Sequence, residues 1–259
     1  MNQDPWKPDL YGRFADERSR PFHDLLALVR PRPGMRVVDL GCGTGALTAE
    51  AHRRLAARET LGIDASPAML AKAAPLAGGG LAFRIGDAGE LGPETAGAWD
   101  LVLSNAALHW VPDHAALLPR LAGSLAPGGQ LAVQVPANHD HPAHLAAHAV
   151  AREAPFAAAL GGHVRETPVL APEAYALLLR RAGFAEQDVH LRVYLHELAS
   201  RAEVVEWLRG TLLTDYERRL PSDVFAAYLE AYRARLAAVL PDERPYPFTY
   251  KRIFLWGRR

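Results

Sequence analysis

The stretch "VVDLGCGTGAL", residues 37–47, decides how the rest of the chain reads. Val37, Val38 and Leu40 have the character of a short buried strand, Gly41, Gly43 and Gly45 follow at alternate positions, and "ALTAEAHRRLAA" then continues with helical spacing. Glycines between a strand and a helix let the backbone approach a ligand where a Cβ would stand in the way. Outward from this loop, short aliphatic runs alternate with alanine- and leucine-rich amphipathic ones: "MRVVDL", "TLGID", "PAMLAKAAPL", "LAFRIGD", "WDLVLSN", "HAALLPRLAGSL", "GQLAVQVP". Strands this apolar have no solvated face, so they belong in a parallel sheet covered by helices. The predicted class is α/β. "APGG", residues 126–129, marks a helix end turning into the next strand.

The 259 residues are 49% hydrophobic, enough for one sizeable core, and 29 Lys and Arg balance 29 Asp and Glu. That balance removes the global field that draws a protein to nucleic acid or to an anionic membrane. A single cysteine, Cys42, excludes an internal disulfide framework. No apolar run is long enough to span a bilayer or to act as a signal peptide, so a cytoplasmic location is expected.

The spacing of Gly41, Gly43 and Ala46 also satisfies a loose dinucleotide pattern, so the glycines alone do not name the ligand. Asp39 does more. A carboxylate two residues before the first glycine would repel a pyrophosphate but suits a ligand carrying an ammonium group and a sulfonium, which describes S-adenosylmethionine. Asp64, closing the second strand, is placed to accept hydrogen bonds from ribose hydroxyls. Asp87, closing the third, is placed to accept one from the adenine amino group, with Ala65, Met69 and Ala88 packing on the base. A helix N-cap is the ordinary alternative for any one of these acids, with Asp64 or Ser66 as the cap.

Acids at three successive strand ends form the pattern of the class I methyltransferases, which the chain resembles over residues 37–135. That resemblance implies a Rossmann-like, mostly parallel seven-stranded sheet with helices on both faces. It also implies that "LSNAALHWVPDH", after the fourth strand, faces the transferred methyl, making Asn105, Ala106, His109 and Trp110 pocket residues. "WKPDLYGRFADERSRP", "NAALHWVPDHAALLPRL", "LAVQVPANHDHPAH", "EWLRGTLL" and "KRIFLWGRR" carry a closer resemblance, over nearly the whole chain, to the trans-aconitate 2-methyltransferase family. The implied reaction is monomethyl esterification of a small di- or tricarboxylic acid, giving S-adenosylhomocysteine. A single domain is expected, with an N-terminal helical cap over 1–33, a cofactor-binding core over 34–136 and a substrate-side half over 137–259. Lid helices are expected at about 200–240, and a final strand at about 246–257.

A carboxylate acceptor with a pKa near 4 is already ionised at neutral pH, so the reaction requires no general base. Catalysis is then positioning, which contributes about 7–11 kcal/mol when the geometry is right. Arg18, His109 and Trp110 are the residues expected to supply it. A polycarboxylate entering a dry pocket also needs charge-assisted donors. The candidates are Tyr11, Arg18, Arg20 and His23 upstream, Trp207 and Arg209 in the lid, and Lys251 or Arg252 in the last strand. Asn138 and His144 join them where the family pattern places pocket residues. Phe22, Leu25, Leu26 and Val29 form an apolar helical stripe, and Ser19 as its N-cap would set Arg18 and Arg20 beside a positive helix end. For Arg20 the competing role is pairing with Asp16 and Asp24.

His139, His141, His144 and His148 have spacings seen in zinc sites, but no cysteine accompanies them and the reaction needs no Lewis acid, so no metal is expected. The expected partner is a small-molecule polycarboxylate bound by a monomer, without nucleic acid or membrane. Two alternatives stay open. One is methylation of another oxygen, nitrogen or carbon acceptor with His109 or His144 as base, and the other is a cofactor-binding protein without turnover.

Overall fold

The computed structural model describes residues 15–91 and 95–259, with side chains from Ser19 onward. Its chain contacts divide into two compact units. One, the core unit, comprises Ala15–Pro136, Pro168–Arg192 and Arg252–Arg259. The described part of the other comprises Ala137–Thr167 and Val193–Lys251.

The core unit is built on a seven-stranded sheet in the order β3-β2-β1-β4-β5-β7-β6. The strands are β1 Arg36–Leu40, β2 Glu59–Asp64, β3 Leu81–Ile85, β4 Trp99–Asn105, β5 Leu125–Pro136, β6 Glu186–Leu198 and β7 Tyr246–Arg258. β1 through β5 pair in parallel and β7 runs antiparallel to β5, so the sheet is mostly parallel, as expected. Val37, Val38 and Leu40 of β1, residues 101–103 of β4 and Leu131, Ala132, Val133 and Val135 of β5 are all essentially inaccessible. Burial on both faces is why these strands read as continuous apolar runs rather than as alternating ones. The strand order reverses between β1 and β4, the place where open parallel sheets hold ligands at the carboxyl ends of their strands.

α1, Ala15–Leu26, buries Phe22, Leu25 and Leu26, and Val29 is buried in the turn that follows it. This is the stripe that the spacing shows. Ser19, however, lies inside the helix and is not its N-cap, so the anion site expected at a helix start beside Arg18 and Arg20 is not formed there. α2 (Ala46–Arg54) begins at Gly45, which has a φ of 75° and no side-chain cap. α3 (Pro67–Ala73) is capped by Ser66, whose hydroxyl accepts from the Met69 N–H at 3.1 Å, with Pro67 at the first helical position. The cap is therefore Ser66, which leaves the Asp64 carboxylate available for other partners. α4 spans His114–Gly123.

In the second unit, α5 (Pro142–Ala151) is capped by His141, whose Nδ1 accepts from the Ala143 N–H at 3.1 Å. The short α6 (Phe156–Ala159) follows. α7 (Pro172–Arg181) belongs to the core unit. Three helices, where the sequence suggests two, stand between β6 and β7: α8 Glu203–Arg209, α9 Leu213–Arg219 and α10 Ser222–Val239. They bury a core of their own around Trp207, Tyr216, Tyr228, Tyr232 and Phe248, together with the α5 alanines 143, 146, 147 and 151. The hydroxyls of Tyr228 and Tyr232 donate to the carbonyls of Ala147 (2.9 Å) and Ala143 (3.1 Å), so even the polar tips of this core are satisfied. No helix among the described residues is long and apolar enough to cross a membrane.

Candidate active site

Each glycine of the first loop has its own steric reason. A Cβ on Gly41 would lie 2.1 Å from the Cβ of Ala107, so the loop after β1 and the segment after β4 approach too closely for any side chain. A Cβ on Gly45 would meet Phe83 of β3 and Ala73 of α3 at 2.7–2.8 Å, which fixes the helix against the sheet. Gly43 differs. It has a φ of 55° and nothing within 4 Å of where its Cβ would be, so its backbone faces open space. Close packing at two glycines and a bare backbone face at the third are what a nucleotide-type ligand requires of this loop.

Acids lie near the carboxyl ends of β1, β2 and β3. Asp39 is 5% exposed and accepts a hydrogen bond from the Thr48 hydroxyl at 2.6 Å. Burial pushes its carboxyl up to about 6, against the Thr48 bond, which lowers it, while the negative charge of Asp64 adds to the rise. A buried carboxylate with so little compensation is poised for a cation. Asp64, the last residue of β2, accepts from the Gly43 N–H at 2.8 Å through one oxygen and from the Ser66 N–H at 2.9 Å through the other. It therefore ties the glycine loop to the second strand, and an ionised carboxylate keeps lone pairs for further donors. Asp87 lies two residues beyond β3, exposed, with one oxygen accepting from the Gly89 N–H at 2.6 Å. Met69 is buried, Ala65 is exposed and Ala88 is intermediate. Cys42 is buried, its thiol held in the neutral form by burial and by the charges of Asp39 and Asp64.

At the end of β4, the Oδ1 of Asn105 is buried without a hydrogen-bond partner, and Ala106 has a φ of 54°. An orphaned acceptor followed by a left-handed non-glycine residue is an arrangement found at binding sites rather than in plain turns. His109 and Trp110 follow on a 3₁₀ turn, their rings 5.1 Å apart between centroids. Two residues that sequence reasoning missed hold this turn. Buried His114 donates from Nε2 to the Leu108 carbonyl at 2.9 Å, and its Nδ1 accepts from the Tyr175 hydroxyl. Burial lowers the His114 pKa and keeps the ring neutral, as that pairing needs. His114 reads in sequence as one more helix-start residue; its partner, 61 positions away, leaves no local signal.

The acceptor-side candidates divide more sharply. Tyr11 lies outside the described residues, and of Arg18 only the helical backbone is described. Arg20 is exposed on α1. His23 pairs with Glu50 of α2 at 3.1 Å. Arg252, expected in the acceptor site, is 4% exposed within the sheet and donates to the Gln134 side chain of β5 at 3.2 Å, because its place on β7 points it into the interior.

In the second unit, Lys251 is occupied by Asp140. Asn138 is 2% exposed with both amide groups engaged: Oδ1 accepts from the Lys251 N–H at 2.9 Å and Nδ2 donates to the Thr249 carbonyl at 3.4 Å. It serves β7 as a structural tie rather than as a ligand donor. Trp207 is 1% exposed among His196, Phe248 and Tyr250, a core residue instead of a lid donor. Arg209 remains suited to an anion: its contact with Glu206 is a loose 3.7 Å, and its Nε is buried without a partner. His144 is buried, and burial, with His141, His148 and Arg165 nearby, lowers its pKa to about 3. Among the described residues no three His, Cys, Asp or Glu side chains are grouped to hold a metal ion. A groove edged by residues 27–30 and 186–189 and by Trp256 includes none of the expected ligand residues.

Comparison with known proteins agrees with this geometry. A family model described as a methyltransferase domain matches residues 11–189. The chain is 45% identical over 260 residues to a trans-aconitate 2-methyltransferase of Deinococcus radiodurans, covering 98% of both chains. It is 37% identical over 262 residues to one of Mycobacterium tuberculosis, covering 96% and 95%. Among solved structures, the YcgJ protein of Bacillus subtilis superposes with a TM-score of 0.60 at 17% identity, covering 93% of this chain and 98% of that one. A phosphoethanolamine N-methyltransferase of Haemonchus contortus, in complex with S-adenosylhomocysteine, superposes with a TM-score of 0.55 at 16% identity, covering 93% and 52%. On full-length similarity of this extent, with the sheet order and glycine loop that go with it, the chain belongs to the trans-aconitate 2-methyltransferase family of class I methyltransferases.

Proposed function

We propose that the protein esterifies one carboxylate of trans-aconitate, or of a closely similar di- or tricarboxylic acid, with the methyl group of S-adenosylmethionine. The residues present fit this cofactor: Asp39 offers a buried anion to its ammonium group, Gly43 offers bare backbone, and Asp64 offers free lone pairs at a strand end. The orphaned Asn105 Oδ1 adds an acceptor at the neighbouring strand end. Bound there, the cofactor supplies an electrophilic methyl on a sulfonium. The chain's own residues then bind the acceptor anion, orient it and exclude water, and Arg18, Arg209, His109 and Trp110 are the residues this reading assigns to those tasks.

The observation that carries the carboxylate reading is the full-length similarity to trans-aconitate 2-methyltransferases. Burial of His144 points the same way: a ring whose pKa is lowered to about 3 is a poor base for removing a proton from a hydroxyl, amine or carbon acceptor at neutral pH, which leaves His109 to that alternative. An acceptor that arrives ionised needs no such base. The test is mass spectrometry of products from trans-aconitate and S-adenosylmethionine, with initial rates from pH 6.5 to 9. A monomethyl ester formed at a rate nearly independent of pH supports the reading. No ester from a panel of di- and tricarboxylates refutes it.

A further inference from the structure

Gln134 of β5 is 0% exposed, and its Nε2 is buried without a hydrogen-bond partner. A buried donor left unmade costs stability, so its presence asks for a reason. The orientation of the amide follows from its neighbour in the core unit. Arg252 of β7 donates from Nη1 to Gln134 Oε1 at 3.2 Å, and a guanidinium has donors only, so the oxygen must face Arg252 and the NH2 must face elsewhere. Gln134 is also paired in register with Asn105 of β4, and paired residues on neighbouring strands put their side chains on the same face. Asn105 Oδ1 is an acceptor without a partner, and Asn105 as a whole is half-buried, so the sheet edge is partly exposed there. An unused donor and an unused acceptor thus stand on strands about 5 Å apart without bonding to each other.

The order of groups along that edge says which reactant the donor meets. The acids that suit the cofactor follow β3, β2 and β1, whereas Gln134 lies on β5, two strands past β1 in the opposite direction. An N–H donor has nothing to offer an ammonium or a sulfonium; its complement is an oxygen anion. We propose that Gln134 Nε2 donates to a carboxylate oxygen of the acceptor, with Arg252 as the positioning residue that holds the amide. This deepens the reading of the reaction given above and rests on it. Arg252 acts through Gln134: a charge-assisted bond to Oε1 fixes the amide plane and polarises it, which strengthens Nε2–H as a donor. The Gln134 carbonyl accepts from the Ala106 N–H at 2.9 Å, so the same residue also ties down the left-handed turn after β4.

The test measures binding of trans-aconitate to the complex with S-adenosylhomocysteine, where no methyl is available, by calorimetry. Gln134→Glu keeps the size of the side chain and the bond from Arg252 but replaces the donor by an anionic oxygen, and is expected to lose about 100-fold in acceptor affinity. Gln134→Met, without the donor, is expected to lose about tenfold. Affinity for S-adenosylhomocysteine should stay within about threefold in both. Arg252→Met should lose about tenfold for the acceptor, and Arg252→Lys, which still offers Oε1 a donor, should recover most of that loss. A purely structural tie predicts that Gln134→Glu, with its bond from Arg252 intact, binds the acceptor as the wild type does, and that result overturns the proposal. A loss of S-adenosylhomocysteine affinity as large as the loss for trans-aconitate gives the donor to the cofactor's own carboxylate and overturns it equally. Should Gln134→Glu fail to fold, wild-type acceptor affinity in Gln134→Met is fatal instead. No ester from the wild type, with trans-aconitate binding still lost in Gln134→Glu, sinks the proposed reaction alone, whereas ester formed by Gln134→Glu at the wild-type KM sinks the role of Gln134 alone.

Discussion

Asp39→Asn should make the protein more stable while weakening its hold on the cofactor. The Asp39 carboxyl is 5% exposed with one hydrogen bond, from Thr48, and burial pushes it up to about 6. In the unfolded chain it releases its proton near 4. Between those values the native state binds the proton more tightly than the unfolded one, so stability falls as pH rises and the full cost, about 3 kcal/mol, is present above pH 6. Asparagine keeps the acceptor for Thr48 and removes the charge. At pH 7.5, without cofactor, the variant should therefore gain up to about 3 kcal/mol, or a rise in Tm of about 6–10 °C. At pH 4.5 the native wild type already carries the proton, and the gain should shrink to about 1 kcal/mol.

The functional half of the prediction has the opposite sign. Replacing a charge-assisted contact to the cofactor's ammonium by a neutral one removes about 1.5–3 kcal/mol, a ten- to hundredfold loss in affinity for S-adenosylhomocysteine by calorimetry. Wild-type affinity should itself fall about fivefold between pH 6 and pH 5 as Asp39 takes up its proton, while the variant stays flat over that range. An apo variant no more stable than wild type at pH 7.5, or equally stabilised at both pH values, would refute the buried-anion argument. Unchanged cofactor affinity would remove Asp39 from the site.

Gly41→Ala and Gly43→Ala should separate packing from binding: the first drives a methyl into Ala107 and should cost more than about 2 kcal/mol in chemical denaturation. The second meets no atom, costs about 1–2 kcal/mol for its left-handed backbone, and should lose affinity for S-adenosylhomocysteine more than tenfold because the methyl occupies the ligand's space. Tyr175→Phe leaves the buried His114 Nδ1 and the Leu170 N–H short of a partner, so it should destabilise the fold by about 1–3 kcal/mol and lower kcat more than it raises KM, through the turn bearing His109 and Trp110. Asn138→Ala should cost a similar amount in stability with KM for the acceptor unchanged; a large rise in KM would return Asn138 to the acceptor site.

What the sequence conveyed well depends on neighbours close along the chain. Strand, glycine turn and helix at residues 37–47, the Ser66 cap three residues before Met69, and the stripe through Phe22, Leu25 and Leu26 are all local patterns enforced by backbone geometry. Asp39 was legible for the same reason, lying two residues from the loop it serves. The acceptor side was not, because which way a side chain faces there is settled by partners about 40–120 residues away. Trp207 and Arg209 share one helix, yet only packing against Phe248 and Tyr250 sends the tryptophan into the core. Arg252 read as a candidate donor in the final strand, yet its guanidinium donates to Gln134 on the adjacent strand.

This asymmetry has a chemical logic. Cofactor binding uses backbone N–H groups and short acids at fixed strand ends, where the fold itself supplies the geometry and the sequence has few ways to write it. Acceptor recognition uses the tips of long side chains, which reach their site from many backbone positions and are therefore free to vary between relatives that share a cofactor. The second unit's own aromatic core fits such a task. Trp207, Tyr216 and Tyr228 are fully buried there, and Tyr216 and Tyr228 each hold a hydrogen bond at the tip. A rigid interior of that kind would keep the guanidinium of Arg209, assigned above to the acceptor, oriented beforehand, so that less ordering entropy would oppose binding. Substitutions that loosen this core, such as Tyr228→Phe with its lost bond to the Ala147 carbonyl, should accordingly raise KM for the acceptor before they affect cofactor affinity.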